Sequence, residues 1–289
     1  LSAIRSKDSN HFKYLFYFLG SIQNKLMNMG RGSTFSAITQ DDLRDILIPV
    51  PPLPVQKKLT TLLDKADSIR KQHQESIRLA DEFIRSTFLK MFGDPKTNPF
   101  KWPTKSFNEM LKVDRIAIQP NEIDDGEIYL GLDNIEKETG IIVNPIPYKK
   151  EFLSSTKFKF TNKHILYGKL RPYLNKVAAP NFNGVCSTDI LPLLPIPKLS
   201  KRYFLIFLLR HNAFVNYVTN RSVGANLPRV NYKTIEQYKT ICPPFTIQDE
   251  FERIVKMVYS LNDKFKSSLA KSENLFDLLM QKAFKGELS

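Results

Sequence analysis

Residues 11–59 and 203–251 repeat each other at one offset of 192 positions, without a gap. Phe12 matches Phe204, Gly32 matches Gly224, Pro51-Pro52 matches Pro243-Pro244, and Gln56 matches Gln248. Apolar positions keep step: Leu15 with Phe207, Leu26 with Val218, Ile38 with Val230, Leu43 with Ile235. An internal repeat constrains architecture before any local propensity does. Here the unit is too long and the copies too few for a solenoid. A large unrepeated block separates them, so one device is used twice along one chain.

The repeat runs on into a helical pattern. Over residues 54–92, Leu59, Leu62/Leu63, Ala66, Ile69, His73, Ile77, Ala80 and Ile84 recur every three or four positions. That spacing lays them along one stripe of a helix. Gly93 and Pro95 supply the stop, and at ~1.5 Å per residue the rod is roughly 55 Å long. At the same offset Phe251, Ile254, Val258, Leu261, Phe265 and Leu269 define a second rod, from about 246 to 283. Each rod is polar except for one seam. We expect an antiparallel two-helix coiled coil whose seam contains Leu62, Ile69 and Ile77 against Ile254, Leu261 and Leu269. His73 reads as a tolerated seam residue and not as a ligand.

Between the rods, residues 94–100 form a loop by composition. The block from Trp102 to Cys242 mixes β-like runs (128–132, 141–143, 157–160, 190–194) with turn residues and a helix over 201–219. The fold class is α+β. Residue 1 corresponds to position 193 of the second copy, so the counterpart of 102–192 is expected upstream, and the Leu at residue 1 reads as the start of a fragment. Residues 1–53 are then the tail of a first globule, with a helix near 12–29 followed by a loop and a strand. The expected segments are 1–53, 54–93, 94–245 and 246–289.

Composition bounds the partner. No apolar run approaches the ~18 residues of a membrane span, and no signal-peptide pattern opens the sequence. Cys186 and Cys242 lie in apolar stretches and read as reduced core residues. A cytoplasmic setting follows. The net charge of +14 is concentrated: residues 141–234 hold fifteen Lys and Arg against Glu151 and Asp189. Such a field attracts polyanions and releases their counterions. A merely basic surface, or one drawn to anionic lipid, is the alternative.

Several phrases resemble one family. Ile48-Pro-Val-Pro-Pro-Leu-Pro-Val-Gln56 and Cys242-Pro-Pro-Phe-Thr-Ile-Gln248, each leading into a long helix, are similar to junctions in specificity (S) subunits of type I restriction-modification enzymes. So are Met91-Phe-Gly-Asp-Pro95 with Trp102-Pro103, the run Tyr167–Lys176, and Gly184-Val-Cys-Ser-Thr-Asp189. The resemblance covers essentially the full chain. It implies two target-recognition domains, each reading half of a bipartite double-stranded DNA site. It also implies two long conserved helices that set the spacer and dock modification (methyltransferase) subunits, which restriction subunits join. This sequence departs in lacking most of the first domain, which leaves half-site recognition.

Three groups are candidate DNA contacts. Lys169, Arg171, Tyr173, Asn175 and Lys176 crowd into one run; Arg and Lys can bond guanine O6 and N7, and Asn can bond adenine N6 and N7. Leu170, Pro172 and Leu174 would anchor a strand or loop from which they face out. Charges guarding an edge strand are the alternative. Ser187, Thr188 and Asp189 form the second group: Asp accepts from cytosine N4, or else it partners Arg171 or caps a loop. The repeated loop 220–229 offers Arg221, Asn226 and Arg229, with Arg31, Ser33 and Thr34 nearby in the first copy. Gly in both loops lets backbone approach a ligand; a purely structural turn is the bland reading.

Catalytic readings find little support. Cys242-Pro-Pro-Phe245 lacks the polar first residue of an amino-methyltransferase signature, since a thiol is no substitute for the amide or carboxylate acceptor. No phosphate-binding loop, zinc spacing or nuclease constellation is present. We expect no cofactor, no metal and no catalysis. A DNA-modifying enzyme and a coiled-coil scaffold whose basic globule meets protein or lipid remain the competing classes.

Overall fold

The computed structural model describes residues 4–6, 11–30, 38–148 and 155–287. The chain divides into two compact units, Leu1–Glu82 with Tyr259–Ser289, and Phe83–Val258. Each long helix therefore contributes to both units, where the sequence suggested separate helical segments.

In the first unit, α1 (Phe12–Ser21) and α2 (Gln23–Met29) replace the single expected helix. The break falls at Ile22 (φ −105°, ψ 16°). α3 (Gln40–Arg44) starts on a Thr39–Asp42 capping box. α4 is the 40-residue helix Leu53–Phe92. The strand expected before α4 does not form among the described residues: Leu47 is 92% exposed, with no strand beside it.

The second unit adds β1 (Thr104–Ser106), α5 (Phe107–Met110), β2 (Leu111–Val113), β3 (Ala117–Ile118), β4 (Ile128–Leu130), β5 (Ile146–Pro147), β6 (Lys157–Phe160), β7 (Ile165–Gly168), β8 (Val177–Ala178), β9 (Gly184–Cys186) and β10 (Ile190–Pro195). Then come α6 (Arg202–Arg210), α7 (Asn212–Thr219), α8 (Tyr232–Glu236), β11 (Lys239–Ile241) and α9 (Phe245–Lys285). The described strands make three sheets, ordered β3-β6-β9-β4-β5, β2-β10-β7-β8 and β1-β11. The run 141–143 contributes only an isolated bridge, Ile142 to Ile135. The helix expected over 201–219 splits at His211, which turns to extended backbone and whose Nδ1 accepts the Ala213 N–H.

Leu130, Phe160 and Cys186 of the five-stranded sheet pack with Leu166, Ala178 and Ile190 of the four-stranded one. Val185, one residue from Cys186, faces the opposite way, into Ile118, Ile123 and Tyr148. Strand alternation thus buries both faces of the larger sheet. Cys186 and Cys242 are buried and free, and burial raises both thiols.

The long helices pair antiparallel. In the first unit Leu59 packs with Ala283, Leu63 and Ala66 pack with Phe276 and Met280, and the His73 ring lies 6.5 Å from Phe265. In the second, Phe88 lies 5.5 Å from Phe251. Rising numbers on α4 meet falling numbers on α9. His73 and Phe265 are equivalents in the repeat, so the local two-fold of the coil passes between them.

The seam corrects the sequence reading. Leu62, Ile69 and Leu261 are 40%, 48% and 46% exposed; Ile77, Ile254 and Leu269 are half-buried. The stripe runs 59, 63, 66, 70, 73, 77 and, at the same offset, 251, 255, 258, 262, 265, 269. Where the apolar Ile69 and Leu261 were expected, it takes in Arg70 and Asn262. Arg70 lies 4.7 Å over the Phe276 ring, and Asn262 is buried. Seam position follows the three-four spacing set by helix pairing, not residue polarity.

Two buried glutamines tie each long helix to the shorter helix before it. Gln56 Oε1 accepts the His11 N–H (2.9 Å), and its Nε2 donates to the Pro51 carbonyl (2.8 Å). Gln248 Oε1 accepts the Lys201 N–H (3.0 Å), and its Nε2 donates to Leu199 (3.1 Å) and Pro243 (2.8 Å) carbonyls. His11 and Lys201 are the N-caps of α1 and α6. The repeated Pro-Pro and Gln are therefore two ends of one hydrogen-bonded clamp.

Inside the second unit, His164 is buried, its Nδ1 accepting the Thr161 N–H at 2.9 Å and its Nε2 3.3 Å from Asp114. Burial, opposed by Asp114, holds the imidazole below its ordinary 6.5. Burial holds His211 low as well.

Two outcomes follow. Leu63→Ala should cost about 2–5 kcal/mol in urea unfolding, whereas Ile69→Ala should stay within about 0.5 kcal/mol. The unfolded chain takes up histidine protons first, so stability should fall as pH drops below 6.5. His164→Asn should remove part of that slope, read as urea midpoints at successive pH values.

Candidate functional site

The three candidate groups, far apart in sequence, meet along one short stretch of backbone. β7 ends at Gly168 and continues as Lys169–Arg171. On one side the Lys169 N–H donates to the Asp189 carbonyl (2.9 Å). On the other, the Val230 N–H donates to Lys169 (3.0 Å) and the Arg171 N–H to Pro228 (2.7 Å). Residues 223–229 close as a hairpin through reciprocal Val223–Arg229 bonds of 3.0 and 2.9 Å. Gly224 permits the tip with φ +113°.

The side chains divide into exposed and structural sets. Arg171, Tyr173, Arg221, Asn226 and Arg229 are exposed. Arg171 adopts left-handed backbone (φ +50°), aiming its side chain off the strand path, with Nη2 3.5 Å from the Asn226 carbonyl. The Arg221 guanidinium stacks 4.0 Å over Tyr217. Lys169, Ser187 and Thr188 are half-buried. Asp189 forms a forked pair with Arg229, at 3.0 and 3.2 Å, and lies 3.8 Å from Lys169. Its cation is thus Arg229 and not the Arg171 suggested by sequence. That carboxylate raises the guanidinium further above its ordinary value.

Asn175 and Lys176 depart from the outward-facing expectation. The segment is not a continuous strand: a tight turn over Pro172–Leu174 sits between Arg171 and Asn175, both left-handed. Asn175 Nδ2 donates to the Arg210 carbonyl (3.0 Å) and its Oδ1 is buried. Lys176 Nζ donates to the Leu132 carbonyl (2.6 Å). Both hold the turn against the core. Arg31, Ser33 and Thr34 lie outside the described residues.

The structure adds two residues that sequence reasoning missed. Arg115, exposed and outside the basic span, stacks 4.2 Å over Tyr232, two residues beyond Val230. Asp133 stands exposed beside Leu132, whose carbonyl Lys176 holds. Neither has a sequence signal, because sheet pairing alone brings them here. Conversely, Lys157 and Arg202 count toward the basic span yet serve the interior. Lys157 is buried on Ser155, and Arg202 binds the His164 and Pro180 carbonyls.

Chemically, the site offers cations, amide and hydroxyl groups on a rigid backbone frame. Among the described residues no group of His, Cys, Asp and Glu is arranged to hold a metal ion. Among them, too, no helix is long and apolar enough to cross a membrane.

Residues 1–79 match the family model of the type I restriction modification DNA specificity domain. The chain is 26% identical over 314 residues to the type I restriction enzyme EcoDI specificity subunit of Escherichia coli, spanning 96% of this chain and 70% of that protein. It is 24% identical over 316 residues to the MjaIX specificity subunit of Methanocaldococcus jannaschii, spanning 98% and 70%. The crystal structure of a type I restriction-modification system S subunit from M. genitalium has the same fold, with a TM-score of 0.59 at 15% identity, over 96% of this chain and 73% of that one.

The hairpin can be tested alone. Gly224→Val should strain the tip by about 1–3 kcal/mol. Hydrogen exchange at the Val223 and Arg229 amides should accelerate, while that at Leu166 in the core stays unchanged.

Proposed function

We infer that the chain is a specificity subunit of a type I restriction-modification enzyme and recognises double-stranded DNA by sequence. The observation that carries this reading is the meeting of Lys169, Arg171, Asp189, Asn226 and Arg229 on one hydrogen-bonded frame. Phosphate contacts would position the duplex, and base-edge contacts would select it. Arg171, free of any carboxylate among the described residues, is suited to a guanine edge. Arg229 is held by Asp189 until a stronger anion or base displaces it. Asn175 and Lys176 support the turn and do not read.

Residues 94–245 act as a target-recognition domain, and residues 1–53 as the tail of another. The paired helices, 54–93 and 246–289, carry modification subunits and, through them, restriction subunits, directed to a bipartite site. The chain itself performs no chemistry and works in the cytoplasm. The exposed Ile69 and Leu261, equivalent in the repeat and outside the seam, are available to such partners.

Binding to a duplex should weaken steeply with salt, log affinity falling linearly with log salt concentration. Arg171→Ala should relax preference at one base pair by about 1–3 kcal/mol if it reads a base. A uniform loss across sequences would assign it to phosphate. Titrations by fluorescence anisotropy decide between them, and methyl transfer by the chain alone would restore the enzyme reading.

A further inference from the structure

β4 and β9 are the parallel pair of the larger sheet, so their C-terminal ends open at the same edge. Beyond β9 come Ser187–Asp189, already part of the site. Beyond β4 come Gly131 and the tight turn Leu132–Asn134. The two ends are bonded together, the Ser187 N–H donating to the Leu130 carbonyl at 2.9 Å. Asn134 fixes the turn: its Oδ1 accepts the Gly131 N–H (2.8 Å) and its Nδ2 donates to the Asn144 carbonyl (2.8 Å).

This turn brings two oxygens to the space left open at Gly131. A Cβ on Gly131 would collide with the Asp133 carboxylate, and the same point is 3.5 Å from the Tyr129 hydroxyl. The Tyr129 ring is packed against Ile118, Ile123, Tyr148 and Val185, so its hydroxyl is held still. Asp133 is exposed and forms no ion pair among the described residues. The site's cations Lys169, Arg171 and Arg229 would attract phosphate, which an unpaired carboxylate repels. Such a group is unfavourable on a DNA-facing surface unless it meets a donor there.

We propose that Asp133 and Tyr129 form a base-reading pair, matched to the major-groove edge of adenine; this rests on the DNA reading above. Adenine offers a donor, N6, beside an acceptor, N7. The carboxylate accepts from N6 while the phenol donates to N7. Guanine presents two acceptors and is repelled by the carboxylate, thymine presents an acceptor and a methyl, and cytosine satisfies the carboxylate alone. Ser187 supports the polarity. Its Oγ accepts the Asp189 N–H (3.3 Å), leaving its hydrogen for the Tyr129 oxygen and the phenol hydrogen for the base. Burial, then the Asp133 charge, raises the phenol above its ordinary 10.0, so it remains protonated.

The test is selection from a randomised duplex pool by the chain assembled with its modification subunits, for wild type, D133A and G131A. The last keeps the charge and displaces it. Wild type should enrich a motif with an adenine whose preference falls about tenfold in D133A, which removes the acceptor and so one base contact. G131A should relax the same position. In the wild-type complex, 7-deazaadenine there should weaken binding, and in Tyr129→Phe it should not. An unchanged motif in both variants, or relaxation at a base other than adenine, overturns the assignment. If wild type enriches no motif at low salt, the DNA reading falls with it.

Discussion

The buried glutamine that opens each long helix is the contact on which the rest of the structure depends. Its side chain addresses, at once, the prolyl segment behind the helix and the N-cap of the shorter helix beside it. Leaving such buried amides and carbonyls without partners would cost about 1–3 kcal/mol each. In the second unit a physical chain leads from Gln248 to the site. Gln248 fixes the start of α6, and Arg210 at its end binds the Val177 carbonyl. The Arg210 carbonyl in turn receives Asn175, which closes the turn behind Arg171. The exposed arginine is aimed by a relay of buried polar contacts.

That relay explains why the site is built from short strands and turns without losing rigidity. Lys169–Arg171 has backbone partners on both sides, so its exposed side chains project from a fixed base. The electrostatics are graded. Arg171 presents full charge, Arg229 is restrained by Asp189, and Lys157 is removed from the surface altogether. The basic span is therefore a poor measure of the field a ligand meets. Its interior members serve folding, and among its exposed ones Arg229 is restrained by the Asp189 carboxylate.

The two copies of the repeat have different surroundings. Phe204 and Leu208 on α6 are fully buried, in a unit where α6 packs beside β8 and β10. Their equivalents Phe12 and Phe16 on α1 are 65% and 69% exposed. Likewise β11 pairs with β1, whereas its counterpart before α4 has no partner strand among the described residues. A strand needs a neighbour for its backbone groups. The same local sequence pattern thus gives strand in one setting and irregular chain in the other, while the helices, whose hydrogen bonds are internal, persist in both.

Sequence alone determined what rests on local and periodic information. The repeat, the start and stop of both long helices, the bounds of Lys157–Phe160, and the groups around Arg171, Asp189 and Arg229 were all legible. It misjudged the seam by one residue, because adjacent helix positions differ by only about 100° and Ile69 looks better than Arg70 when polarity is the guide. Only the tertiary structure decided that Arg229 and not Arg171 meets Asp189, that Asn175 turns inward, and that Arg115 and Asp133 join the site. Those partners lie tens of residues apart and are chosen by sheet order and by left-handed turns at Arg171 and Asn175. Neither leaves a periodic trace in the chain, because a pairing between strands is a property of two segments and not of either one.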